Sequence, residues 1–217
     1  MYRSQVHCEH AISLACLMPE LGSHGHGVQF LYRHTSNLPQ GRSLWLRTAI
    51  VSSTATYAIT VDSDTAFDAK AVIGELEHMS GNGIAIGIVP VVRNIGRMTL
   101  NIFMDQGRAV LPSSCGGNRF PLWGGGFGMA VFNLAWFRSY WREPFPEVYG
   151  INPEDAINQG EDIQMCRSVV ERGGKIIPLW IPTAHYDMSG YSVVGGELFY
   201  NSGKMHVRGG TNAASQG

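Results

Sequence analysis

Thr56-Tyr57-Ala58-Ile59-Thr60-Val61-Asp62-Ser63-Asp64-Thr65 reads as a short interior strand that ends in two carboxylates. Tyr57, Ile59 and Val61 favour extended backbone, and no charge interrupts the run before Asp62. An interior strand of an open α/β sheet delivers the residues after it to the sheet's carboxyl edge, where such folds bind ligands. Two Asp one residue apart repel each other there unless something positive lies between them. A divalent cation with oxygen ligands, itself holding phosphates, satisfies that need. The competing reading is structural: Asp62 caps a turn and Asp64 caps the helix that follows.

The flanking sequence alternates helix and strand. Residues 5–21 carry an apolar face of Ile12, Leu14, Ala15, Cys16, Leu17 and Met18 at helical spacing. Val28-Gln29-Phe30-Leu31-Tyr32 reads as a strand, and residues 40–53 as a helix burying Leu44, Leu46, Ala49 and Ile50. Asp68 is placed to cap a helix with Val72, Ile73, Leu76 and Met79 on one face, and Ile84–Val89 reads as the next interior strand. This order predicts an α/β fold with a mixed, mainly parallel sheet flanked by helices.

The second half is less regular. Thr99–Phe103 is a predicted strand, followed by a loop through Pro112–Gly117. Trp123-Gly124-Gly125-Gly126-Phe127-Gly128 enters a strand that ends at Phe132, and Asn133 is placed to cap an aromatic-rich helix stopped by Pro144. After a loop to Gly160, Glu161-Asp162 opens a helix with Ile163, Cys166, Val169 and Val170 on one face, ended by Gly173-Gly174. Lys175–Ile181 returns as a strand whose Pro178 suits an edge, and His185 follows it. One domain is expected over residues 1–201, with a flexible tail over 202–217 that is rich in Gly, Ser, Asn and Ala.

Composition narrows the function classes. At 217 residues the chain is long enough to bury its own core, and 44% hydrophobic with 15% charged residues is an ordinary globular balance. Sixteen basic residues against seventeen acidic leave a net charge of -1, which gives no footprint for nucleic acid. No apolar run approaches the ~20 residues of a membrane span. The cysteines (Cys8, Cys16, Cys115, Cys166) have no CxxC spacing, so they are expected to be reduced in a cytoplasmic protein.

Four signals fall in order along the chain: Asp62-Ser63-Asp64 at a strand end, the glycine-rich Gly124-Gly125-Gly126 segment, Glu161-Asp162 at a helix N-terminus, and His185. Glycines let backbone approach a polar ligand, and the helix dipole favours carboxylates in a first turn. An imidazole beside carboxylates is an apt third ligand for Mn²⁺ or Mg²⁺. Taken singly, Glu161-Asp162 is also a plain helix start, and His185 a packing residue.

Together, from Gly41-Arg42 to Gly190, these motifs resemble the GT-A glycosyltransferases, the nucleotide-sugar-dependent enzymes that carry an Asp-x-Asp motif. The resemblance implies that Asp64 binds Mn²⁺ (or Mg²⁺), that Asp62 binds it directly or through water and contacts the ribose, and that His185 completes the protein's ligands. It implies that Arg42 and Ser63 belong to the nucleotide-sugar site with the two aspartates. Asp162 takes the position of the base that deprotonates the acceptor, with Glu161 supporting it, and Trp123 with Gly124, Gly125 and Gly126 line the cleft between donor and acceptor. The donor is then a UDP- or GDP-sugar and the acceptor a carbohydrate-type hydroxyl on a glycan, lipid or protein, as for a hexosyltransferase. Only Met1-Tyr2-Arg3-Ser4 precede the first helix, so the strand that opens the family's sheet and holds the nucleobase is expected to be missing or vestigial. That departure keeps a second reading open, a non-catalytic sugar- or nucleotide-binding relic of the same fold. A third, a nucleotidyltransferase, calls for a glycine- and basic-rich N-terminal phosphate loop, which this sequence lacks.

Overall fold

Strand β1 (Tyr57–Val61) forms where the sequence predicts it, but it is half-buried along its length and lies at the end of a four-stranded sheet among the described residues, not in its interior. The computed structural model describes residues 6, 8–31, 38–79, 81–94, 97–105, 108–109, 120–140, 160–186, 191–194, 197–200 and 205–207. Before β1 come helices α1 (Cys8–Ser23) and α2 (Leu38–Ser52). After it come β2 (Thr65–Phe67), α3 (Ala69–Leu76) with a 3-10 turn at Glu77–Met79, and β3 (Ile84–Gly87). Two short antiparallel units follow, made from β4 (Pro90–Asn94), β5 (Arg97–Leu100), β6 (Ile102–Asp105), β7 (Arg108–Ala109) and β8 (Gly124–Gly125). Then come β9 (Met129–Asn133), α4 (Leu134–Tyr140), α5 (Glu161–Glu171), β10 (Ile176–Leu179), β11 (Thr183–Tyr186), β12 (Tyr191–Val194), β13 (Glu197–Tyr200) and β14 (Met205–Val207).

The central sheet has the order β1-β9-β3-β10. β3, β9 and β10 are buried on both faces, so their alternate residues enter two separate cores. Ile84, Ile86, Ala130, Phe132 and Ile176 face a core built with Leu46, Ala49 and Ile50 of α2, Phe137 of α4 and Met165, Cys166 and Val169 of α5. Ala85, Met129, Val131, Ile177 and Leu179 face the other, closed by Leu17 and Leu21 of α1 and Val72, Ile73 and Leu76 of α3. This is a three-layer α/β/α arrangement. Each fully buried Ile, Leu or Phe in it contributes about 1.5–3 kcal/mol.

The expected mainly parallel sheet is not what forms. Only β3 and β10 pair in parallel, whereas β9 lies between β1 and β3 and runs antiparallel to both. β1, β3 and β10 therefore still point the same way, and β9 is inserted against them. The expectation rested on the alternation of helices and strands up to β3, one strand of which, at 28–31, does not form. It could not reveal a strand that enters from the irregular middle of the chain. A second, five-stranded sheet, β14-β13-β12-β11-β2, is antiparallel throughout.

Several local expectations also change. Residues 28–31 form no strand, and Val28 and Phe30 are exposed; Tyr32 lies outside the described residues. α1 buries His10, Ser13, Leu17 and Leu21, leaving Ile12 and Cys16 outside, because this face lies on β2: the His10 Nδ1–H donates to the Thr65 carbonyl (2.9 Å), and Ser13 Oγ accepts from the Phe67 N–H (3.0 Å). Leu44 and Val170 point outward on α2 and α5. Asp68 caps α3 as predicted, accepting from the Lys70 and Ala71 N–H groups, and Asn133 caps α4 by accepting from the Trp136 N–H. Asn101 divides the predicted 99–103 strand into β5 and β6. β10 is the edge strand its proline suggested. Residues 205–207, read as tail, form β14. The rest of the predicted tail, the loop at 112–117, Cys115, Pro144 with the loop after it, and Met1–Ser4 lie outside the described residues.

Candidate functional site

Asp62 leaves the carboxyl end of β1 with its N–H donating to the Gly128 carbonyl (2.9 Å), and its own carbonyl accepts from the Thr65 N–H (3.0 Å). Asp62–Thr65 is thus a tight turn, and β2 begins at once. Asp62 thus opens a turn, as the structural reading has it, but Asp64 caps no helix, because β2 follows it at once. Within that turn the two side chains take different partners. Asp62 Oδ1 accepts from Arg42 (3.0 Å), whereas Asp64 Oδ2 lies 3.5 Å from His185 Nε2.

His185 reaches Asp64 through strand pairing. β11 lies antiparallel to β2 with His185 opposite Thr65, and the Tyr186 N–H donates to the Asp64 carbonyl (2.8 Å). The His185 interaction draws the Asp64 carboxyl below its ordinary range, against an opposing effect of burial. Both side chains stay open, 44% exposed for Asp64 and 23% for His185. Ser63 sits between the aspartates at the tip of the turn.

The second half of the site is enclosed. α2 presents Arg42, Leu46, Ala49 and Ile50 on its inward face, so a guanidinium leads an apolar stripe into the sheet. Arg42 Nη1 donates to Glu161 Oε1 (2.9 Å) and to Asp162 Oδ1, and Nη2 donates to Asp62. Its guanidinium also lies 5.9 Å from the Phe127 ring centroid. With Arg42 only 10% exposed, the guanidinium ties the end of β1 to the first turn of α5. Its role as a nucleotide contact is therefore not what this geometry favours: both terminal nitrogens are directed at carboxylates.

Asp162 Oδ2 accepts a further bond from the Phe127 N–H (3.0 Å). Burial raises its carboxyl to about 6, with Arg42 and that amide pulling the other way and Glu161 and Asp62 adding repulsion. Asp62 is also pushed up by its enclosed setting against the pull of Arg42. It keeps 41% of its side chain exposed, so solvent blunts the effect. Burial lifts the Cys166 thiol to about 12, which leaves it no role as a nucleophile near neutral pH.

The glycine-rich segment serves packing first. A Cβ at Gly125 would stand 2.9 Å from the Asn101 carbonyl oxygen, and one at Gly124 would stand 3.3 Å from both Cys166 and Ile163 of α5. The glycines thus let α5 approach the sheet and bring Asp162 to the Phe127 amide. Gly126 donates its N–H to the Asn101 carbonyl (2.8 Å). Trp123 is half-buried beside this segment, edge-on to Phe103 with centroids 6.5 Å apart.

Sequence reasoning missed Asn101. Its carboxamide accepts from the Val89 N–H (2.8 Å) and donates to the Gly87 (3.0 Å) and Gly126 (2.8 Å) carbonyls. These three bonds fix the end of β3 against the glycine segment. The available signal was an amide-bearing residue interrupting an apolar strand pattern. His10 and Ser13, which anchor β2 just beyond the motif, were legible only as polar positions in α1.

Among the described residues, no three His, Cys, Asp or Glu side chains gather into a metal group. A divalent cation fits part of the predicted ligand set. Asp64 and His185 are adjacent, open and chemically suited, and their 3.5 Å separation is near the ~3 Å between neighbouring ligands around an octahedral ion with bonds of about 2.1 Å. Asp62 does not complete the set in this arrangement, because its Oδ1 is held by Arg42.

No family model matches the chain, and no curated protein matches its sequence. Among solved structures, the fold is similar to that of A197 from STIV, with a TM-score of 0.54 and 12% identity over 85% of each chain. At that identity the likeness speaks for the fold alone.

Proposed function

We propose that this protein is a metal-dependent glycosyltransferase that moves a sugar from a nucleoside diphosphate donor, a UDP- or GDP-sugar, to a hydroxyl acceptor. The observation that carries the reading is the meeting at one sheet edge of Asp62, Asp64, His185, Glu161 and Asp162, with Asp162 raised to about 6. A base with affinity near the working pH is suited to take a proton from a hydroxyl. Asp64 and His185 would hold Mn²⁺ or Mg²⁺, which supplies charge neutralisation of the leaving diphosphate when bound. Asp162 receives the acceptor's proton as the acceptor oxygen bonds to the anomeric carbon, and the bond to the diphosphate breaks with its electron pair leaving on phosphate oxygen. Glu161 and Asp62 add negative charge beside an oxocarbenium-like centre. Trp123 offers a half-buried ring as a sugar platform.

The closed Arg42 cluster favours the second reading, a sugar- or nucleotide-binding relic, because it engages three of the five site carboxylate and imidazole groups internally. Calorimetry with Mn²⁺ and a panel of UDP- and GDP-sugars, followed by donor-hydrolysis and transfer assays, separates the two. Metal-dependent donor binding that Asp64→Ala abolishes, with turnover that Asp162→Asn removes, supports the enzyme. Binding without turnover supports the relic, and no binding to any donor sinks both.

A further inference from the structure

Arg42 is the first residue of a face that is otherwise apolar, yet it is the hub of the site. It reaches the end of β1 through Asp62 and the start of α5 through Glu161 and Asp162. A buried guanidinium is costly unless its donors are matched, and the matching here comes from the site's own carboxylates. Asp162 is held at two points, Oδ1 by Arg42 and Oδ2 by the Phe127 N–H, which fixes the plane of its carboxylate.

We infer that Arg42 is a positioning residue, which orients Asp162 and sets its proton affinity, rather than a group that binds the donor's nucleotide. The inference rests on the proposed role of Asp162 as base. The groups facing that carboxylate are Arg42 from α2, Asp62 from the end of β1, the Phe127 amide from the turn before β9, and Glu161 and the neutral Cys166 thiol from α5 itself. Arg42 supplies the one positive charge among them. Without it, Asp62 and Glu161 repel Asp162 uncompensated, and the carboxyl holds its proton to higher pH. Lysine keeps the charge but, as a compact ammonium, does not reproduce the planar fork that bonds through both Nη1 and Nη2.

The test compares wild type, Arg42→Lys and Arg42→Met, each checked for native far-UV circular dichroism. The Asp162 carboxyl is titrated in the ligand-free protein by carbon-detected NMR and assigned with Asp162→Asn. The midpoint is expected to rise by about one pH unit or more in Arg42→Met and by less in Arg42→Lys. In transfer assays the rising limb of the kcat profile moves up with it, kcat at pH 7 falls about twofold or more while kcat at pH 6 falls about fivefold or more, and KM for the donor changes less than about twofold. An unmoved midpoint in both folded variants overturns the inference. So does a large rise in donor KM with an unmoved pH limb, which is the signature of a nucleotide contact. If Arg42→Met does not fold, the Lys variant alone decides. Because the titration needs no turnover, the absence of transfer by wild type would defeat the glycosyltransferase reading while leaving the role of Arg42 decided.

Discussion

Replacing Asp162 by Asn removes a titration whose size follows from the structure. In the folded protein the Asp162 carboxyl is raised from its ordinary 3.8 to about 6. That interval is somewhat over two decades of proton affinity, about 3 kcal/mol in all at about 1.4 kcal/mol per decade. A raised carboxyl binds more protons folded than unfolded between those values. Its contribution to stability is therefore fully present below about 3.8 and is lost as pH climbs through about 6. Asn has no such titration. It does place an amide NH₂ against either Arg42 or the Phe127 N–H, a mismatch that costs about 1–3 kcal/mol at every pH. That mismatch is independent of pH, so the pH dependence of the difference from wild type reports the Asp162 titration alone. Between pH 4.5 and 7.5, about 2 kcal/mol of the 3 is traversed, so the variant gains about that much on wild type over this range. Urea unfolding of both proteins at four pH values measures it. A difference that stays constant within about 0.5 kcal/mol would refute the claim that burial outweighs Arg42 at this carboxylate.

Asn101→Ala strips partners from the Val89 N–H and from the Gly87 and Gly126 carbonyls, and a loss of about 2–4 kcal/mol is predicted. Equilibrium unfolding checks it, and a loss below about 1 kcal/mol would show that these groups find other partners. Gly125→Ala drives a Cβ to 2.9 Å from a backbone oxygen that cannot rotate away, for a predicted cost of about 1–3 kcal/mol. Gly126→Ala is the control, since its Cβ meets nothing nearer than 3.7 Å and the predicted change is within about 1 kcal/mol. Equal thermal shifts for the two alanine variants would contradict the close-approach argument.

The parts of the fold visible in sequence were those governed by local chemistry. Asp68 and Asn133 have side chains that accept from N–H groups two or three residues on, and both cap as their positions predict. β3 and β9 read as largely apolar runs because each is buried on both faces, whereas β1 has the same look yet ends the sheet half-buried. What stayed hidden depends on pairings between distant segments. Nothing within Met129–Asn133 announces that it runs against its neighbours. Ile12 and Cys16 fit a helical stripe, yet α1 turns His10 and Ser13 inward because β2 offers a carbonyl and an amide for them. The site behaved likewise. The order of its motifs was legible, but the contact between Arg42 and residues 119 and 120 positions later was not.

That contact changes the physical problem posed by Asp62-Ser63-Asp64. In an extended strand, residues two apart share a face, and the pair would require a common cation. Here each also meets its own partner, Asp62 the guanidinium and Asp64 the imidazole. Asp64 still adds repulsion at Asp62, so a cation at the open corner would relieve what the two partners leave. The two partners divide the site into an enclosed half, where Arg42, Glu161 and Asp162 are 10%, 17% and 20% exposed, and an open half at Asp64 and His185. Burial strengthens charge interactions and costs nothing further in reorganisation, which suits a fixed proton acceptor. Exposure lets ligands exchange, which suits a corner that must take up and release a charged group. Asp62 belongs to both halves, bonded inward yet 41% exposed, and its charge adds repulsion at Asp162. The prediction is specific: Asp62→Asn, which keeps an oxygen for Arg42 but removes the charge, lowers the Asp162 midpoint by relieving repulsion, and an unchanged or higher midpoint would show that the two halves are electrostatically independent.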